Sequence, residues 1–146
     1  MYLEIPNHLL PAVNELLDSL PLKGAASRAR TRALALVTTA LEALGASEVE
    51  LLNTYGVKNA DGELAREGDT FELKPETAVE YQTERAKLLS EVTVIDEATY
   101  TGHVALLLKT LEGIDLELKG AVATAYDQLL TSLEQNQTKN AGGSGE

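Results

Sequence analysis

The sequence contains no cysteine, and aromatic residues make up only 4% of it. Without cysteine there is no disulfide, no thiolate metal ligand and no cysteine nucleophile, which fits a reducing compartment. Long hydrophobic runs are also missing, so no segment is expected to span a bilayer. Met1 to Ile5 carries neither a basic leader nor an extended apolar stretch, so no signal peptide is expected. Positive charge is scarce: 12 lysines and arginines face 23 acidic residues, a formal charge of −11. That balance argues against direct nucleic-acid binding, which needs cations to neutralise phosphates, and against anionic membrane surfaces. It permits basic partners, and its simplest consequence is solubility.

Catalytic signatures are equally scarce. Glycine-rich phosphate loops, HExxH and EF-hand spacing do not occur. Asp61-Gly62-Glu63 matches part of a calcium loop but lacks the remaining ligand positions, and reads as a hairpin turn. His8 and His103 lie near expected helix starts, without an adjacent serine or aspartate in a nucleophile–base arrangement, and are expected at the surface or as caps. Carboxylates are abundant, but Glu48 with Glu50, and Asp96 with Glu97, read most simply as solvated. No catalytic residue, metal ligand or cofactor is assigned, and the chain is expected not to be an enzyme.

What the sequence does contain is 146 residues that are 44% apolar, rich in leucine and alanine. That is enough for one domain with a real core, and the composition favours helix. Tyr2 to Ile5 alternates and predicts a short strand. Asn7 as cap, Pro11 in the first turn and Leu9, Leu10, Val13, Leu16, Leu17 and Leu20 at helical spacing predict a helix over 8–19. A long helix is expected from about Ala25 to Tyr55, with Leu34, Val37, Leu41 and Leu44 on its buried stripe. Gly45 interrupts it: a kinked continuous helix is preferred, and a restart at a Ser47/Glu50 capping box is the alternative. Strands are expected over 70–74 and 92–95, with a helix from Pro75 to about Ser90 between them, and a hairpin around Asp61-Gly62. Val104 to Leu111 is too short and too uniformly apolar for its period to decide and is assigned helix, with Gly113 after its end, and Ile114 to Leu118 reads as a half-buried strand. Ala121 to Gln135 is the last expected helix, burying Val122, Ala125, Tyr126, Leu129, Leu130 and Leu133. Residues 136–146, polar and containing Gly-Gly-Ser-Gly, are expected to be a disordered tail. The expected class is α+β: a predominantly helical single domain over 1–135, with a small sheet or hairpin of short strands and a long second helix.

Basic residues cluster in one place. Lys23, Arg28, Arg30 and Arg32 are four of the 12 cations, within ten residues. Arg28 and Arg32, at i and i+4, share a helix face, while Arg30 points away from them. They fall in the first two turns of the long helix, where its dipole disfavours positive charge. An anionic or acidic protein partner would offset that cost; intramolecular pairing with neighbouring acids is the plainer alternative. These four residues are the candidate binding site. Alanine-rich stretches such as Ala33 to Ala43 also permit close helix–helix approach, so a homo-oligomeric seam is an open possibility.

The opening strand and helix, the stretch Leu22-Lys23-Gly24-Ala25-Ala26-Ser27-Arg28-Ala29-Arg30-Thr31-Arg32, the Asp61-Gly62 turn, Glu80-Tyr81 with Val92 to Asp96, and Gly120 to Glu134 with Tyr126-Asp127 together have a familiar layout. The chain resembles a small uncharacterised protein family of tailed phages and prophages of Gram-positive bacteria (domain of unknown function 1617). The resemblance implies a virion- or tail-associated accessory protein acting through contacts with a protein partner, either a phage tail component or a host protein. The expected location is the bacterial host cytoplasm during infection, or the virion. The second reading, from charge, is an acidic inhibitor of a host nucleic-acid-binding or anti-phage defence protein.

Overall fold

Helix dominates because leucine and alanine do. The computed structural model describes the backbone of residues 1–143, and the side chains of residues 1–136 except at position 67. Among them are five α-helices and two small antiparallel sheets. The elements run β1 (Tyr2–Pro6), α1 (Leu10–Ser19), α2 (Gly24–Tyr55), β2 (Arg66–Glu67), β3 (Thr70–Phe71), α3 (Ala78–Ser90), β4 (Val92–Asp96), α4 (His103–Glu112) and α5 (Gly120–Gly143). One-turn 3₁₀ helices, Asn7–Leu9 and Pro75–Thr77, lead into α1 and α3. The protein is α+β and predominantly helical, as its composition predicts, and no helix among the described residues is long and apolar enough to cross a membrane.

The expected single domain is organised as two compact units, Met1–Leu41 with the chain from Val92, and Glu42–Glu91. The first holds most of the core. In it β1 and β4 pair antiparallel, with Leu3 opposite Ile95 and Ile5 opposite Thr93. The period-2 alternation of β1 buries Leu3 and Ile5 completely. α1 contributes Leu10, Val13, Leu16 and Leu17; α4 contributes Leu107 and Leu111; α5 contributes Ala125, Leu129 and Leu133. Each set recurs every three or four residues, which gives each helix one apolar face. The first half of α2 buries Ala29, Ala33 and Val37. Leu34 and Leu41, expected on that stripe, are half-buried. The inward face is thus one of small residues, because an alanine lets a helix backbone approach closely where a leucine holds it off.

The second unit is built from the end of α2, α3 and short hairpins. Asn59 organises the Asp61-Gly62 turn: its Oδ1 accepts from the backbone N–H of Asp61 at 3.0 Å and of Glu63 at 3.1 Å. Gly62 has φ +80°, a conformation that L side chains resist. At Gly56, where α2 ends, a Cβ would lie 2.5 Å from the Leu52 carbonyl oxygen and 2.7 Å from a Leu64 methyl, so only glycine fits without rearrangement. The expected strand over 70–74 is short: Thr70–Phe71 pairs with Arg66–Glu67, and beyond it only Leu73 bridges, to Gly56.

Several sequence expectations need correction. Asn7 opens the 3₁₀ turn that leads into α1, and its Oδ1 accepts from the Thr93 hydroxyl, so it ties the start of α1 to β4. No helix restarts at Ser47, whose Oγ instead donates to the Ala43 carbonyl at 3.3 Å within the continuous α2. Ile114 to Leu118 is not a strand. Its alternation is genuine, but no neighbouring strand lies alongside, and without a ladder an alternating segment is only an extended connection. His103 is buried, 6% exposed, with its ring edge-on to Tyr100 at 5.1 Å. The tail expected over 136–146 falls mostly outside the residues whose side chains are described. Its first residue, Asn136, lies within α5 and is buried.

Candidate protein-binding surface

The start of α2 separates the four basic candidates into two roles. Gly24, at φ +57°, turns the chain from the α1–α2 connection into the helix, and the Ser27 N–H bonds the Lys23 carbonyl at 3.4 Å. One turn later Ala29 and Ala33 face the core, which fixes the helix rotation. Arg30 then lies against the C-terminal end of α1. Its Nη1 donates to the Leu20 carbonyl at 2.7 Å and the Leu17 carbonyl at 3.3 Å, and its Nη2 to Ser27 Oγ at 3.4 Å. Those carbonyls are among the last of α1, which has no basic residue in its own final turn. The guanidinium therefore supplies both the missing donors and a positive charge at the negative end of that dipole. Its placement near the unfavourable end of α2 is offset by its placement at the favourable end of α1. Arg30 is a tertiary helix cap.

Lys23, Arg28 and Arg32 are exposed. Arg28 and Arg32 stand one turn apart on the outer side of α2, as the i, i+4 spacing requires. Arg32 makes one long contact, Nη2 to the Ala98 carbonyl at 3.4 Å. Arg28 makes no hydrogen bond or ion pair among the described residues. The expected pairing of this cluster with neighbouring acids is absent there; carbonyl oxygens take that part at Arg30 and Arg32. The structure thus leaves Lys23, Arg28 and Arg32 exposed at the start of α2, able to meet carboxylates or phosphates, and removes Arg30 from that set.

The second unit contains a cleft of about 370 Å³ between the end of α2 and α3, lined by Glu50, Leu51, Tyr55, Glu84, Lys87 and Leu88 among others. Tyr55 donates its hydroxyl to Glu80 Oε1 at 3.1 Å and packs edge-on against Tyr81. Partial burial, followed by that hydrogen bond and the charges of Glu80 and Glu84, raises its pKa above 10.0. Glu84 and Lys87 form an exposed ion pair at 3.3 Å. Among the described residues no three of histidine, aspartate and glutamate come together to hold a metal ion.

One polar arrangement escaped the sequence reading. Gln128, Ser132 and Asn136 stand at i, i+4 and i+8 on α5 and line the edge of β1 that β4 does not use. Asn136 Oδ1 accepts from the Tyr2 N–H at 2.7 Å while its Nδ2 donates to the Tyr2 carbonyl at 2.6 Å. Ser132 Oγ accepts from the Glu4 N–H at 3.2 Å and donates to the Glu4 carbonyl at 2.9 Å; Gln128 Nε2 donates to the same carbonyl at 2.8 Å. A strip of side chains thereby replaces a third strand. The available signal was a polar stripe at helical spacing beside the apolar one.

No family model matches the chain, and neither a curated protein nor a solved structure matches it.

Proposed function

We propose that the protein is a non-enzymatic accessory protein of a tailed phage or prophage, acting through protein–protein contacts in association with the tail or virion. The observation that carries the contact surface is the exposed Lys23–Arg28–Arg32 set at the start of α2, in which Arg28 has no partner among the described residues. Guanidinium groups one turn apart suit paired carboxylates on a partner. The phage context is supported by the resemblance of the Leu22 to Arg32 stretch and of the strand–helix layout around it. The partner is a tail component or a host protein, met in the host cytoplasm or in the particle.

Two measurements test this. Peptide mass spectrometry of purified particles from an induced host should recover the protein at a fixed ratio to tail proteins. The double substitution Arg28→Glu with Arg32→Glu should abolish its incorporation while leaving thermal stability within about 0.5 kcal/mol of the parent, since both side chains are on the surface. Unchanged incorporation would remove this surface from consideration.

The second reading is an acidic inhibitor of a host nucleic-acid-binding or defence protein. It is favoured by the twelve acidic against five basic residues between Glu42 and Glu91. It requires salt-sensitive binding to a basic protein in competition with DNA or RNA.

A further inference from the structure

We propose that the free edge of β4 is a docking site for an extended, basic peptide segment of a partner protein, which adds to the β1–β4 sheet as a third strand. This surface is of opposite charge to the basic set, which comes near it only through Arg32, whose Nη2 reaches the Ala98 carbonyl at 3.4 Å just beyond β4. The register establishes which groups are open. Met1 and Glu97 exchange reciprocal hydrogen bonds, the Met1 amino group to the Glu97 carbonyl at 2.6 Å and the Glu97 N–H to the Met1 carbonyl at 3.0 Å. By antiparallel alternation Leu3 with Ile95 and Ile5 with Thr93 are the next bonded pairs, and Tyr2, Glu4, Val94 and Asp96 turn their backbone groups outward. On the β1 side those groups are taken by Gln128, Ser132 and Asn136. On the β4 side the N–H and C=O of Val94 and Asp96 have no partner among the described residues.

Natural sheet edges are guarded by lysine, proline, bulges or a covering element. β4 has none of these: it is a regular five-residue strand, Val-Thr-Val-Ile-Asp. Its outward side chains Val92 and Val94 are 52% and 56% exposed. What guards the edge is negative charge alone, from Asp96 with Glu97 beside it and Glu4 directly across from Val94. That guard repels a second copy of a chain whose net charge is −11, and attracts a cationic strand. Val92, Val94, Asp96 and the facing Glu4 share the exposed face of the sheet, so the complementary ligand carries on its own matching face, at every second position, β-branched residues against Val92 and Val94 and lysine or arginine beside Asp96. Backbone bonding supplies the affinity and charge supplies the selection.

The test titrates a synthetic peptide, Lys-Lys-Thr-Val-Thr-Val-Thr, which sets one lysine and two valines on the same strand face, into the full-length, isotope-labelled protein and follows its backbone amides. The expected result is saturable, salt-sensitive shifts at Val92 to Asp96, with slowed hydrogen exchange at Val94 and Asp96. Val94→Pro deletes the outward N–H without touching a β1–β4 bond and should weaken binding at least about tenfold. Val94→Lys keeps that N–H, sets a cation against the incoming basic strand where Val94 stood, and should do the same if the proline variant fails to fold. Arg28→Glu alone, which leaves Arg32 beside Ala98 unchanged, should bind the peptide as the parent does, so failure of the phage reading and failure of this one are distinguishable. Shifts absent from β4, or parent-like binding by a folded Val94 variant, would overturn the proposal. So would protection of Val94 that rises with protein concentration in the absence of peptide, which would assign the edge to a second copy.

Discussion

At the scale of single residues, chemistry that looked equivalent in the sequence divides by environment. Arg28 and Arg30 are two positions apart, yet one faces solvent and the other donates to the Leu17 and Leu20 carbonyls. Arg30→Met keeps an aliphatic stem of similar length and removes every donor, leaving the end of α1 uncapped. It should lower stability by about 1–3 kcal/mol, the range for a charge-assisted hydrogen bond, whereas Arg28→Met should change it by less than about 0.5 kcal/mol; chemical denaturation of the two variants checks the contrast. The tyrosines divide similarly. The hydrogen bond from Tyr2 to the Glu4 carboxylate, then partial burial and the charges of Glu4 and Asp96, raises the Tyr2 pKa above 10.0, as burial and Glu80 raise that of Tyr55. A raised phenol pKa stabilises the fold fully below the unfolded value, and that contribution is lost as pH rises through the folded value. Tyr2→Phe and Tyr55→Phe should each remove amplitude from the part of an ultraviolet tyrosine titration above pH 10.0, and should flatten the loss of stability in that window.

At the scale of elements, a two-stranded sheet is marginal alone, and β1–β4 persists because helices cover its inner face and α5 occupies one edge. The polar strip of α5 is therefore as structural as its leucines. Asn136→Ala would remove the side-chain partner of both the partly buried N–H and C=O of Tyr2. The expected cost is about 1–3 kcal/mol, with faster hydrogen exchange at Tyr2 before global unfolding. Asn136→Asp restores the acceptor and not the donor, so it should recover only part of the loss. If neither substitution changed exchange at Tyr2, the strip would not be what holds that edge. The helices themselves were largely legible in the sequence: α1 and α5 follow from leucines at helical spacing, and the continuity of α2 through Gly45 from the apolar residues on either side, whereas the short, uniformly apolar run of α4 carries no period and was decided by the fold. The false strand at Ile114 to Leu118 and the shortened one at Thr70 fail for one reason. A helix satisfies its own hydrogen bonds, so local sequence suffices, whereas a strand exists only where a partner does.

At the scale of the whole molecule, charge and surface carry the functional readings. A chain of net charge −11 presents an exposed basic set at one helix start and an acid-guarded open strand edge elsewhere. The basic set suits an acidic partner, and the open edge a basic one. Long-range steering by the acidic surface should make association with any basic partner fall steeply with ionic strength, with little change in dissociation. Stopped-flow association rates across a salt series check that.

Composition and period alone determined the helical class, the positions of α1, α2 and α5, the alternation of β1 and the clustering of Lys23, Arg28, Arg30 and Arg32. These are local properties: side-chain entropy, 3.6-residue spacing and charge density are written along the chain. Tertiary structure alone decided that Arg30 caps a neighbouring helix, that Asn7 reaches Thr93, that His103 is buried, and that Asn136 closes one sheet edge while β4 keeps the other open. Each depends on a partner distant in sequence, and the satisfaction of a polar group in a fold is set by what packs beside it.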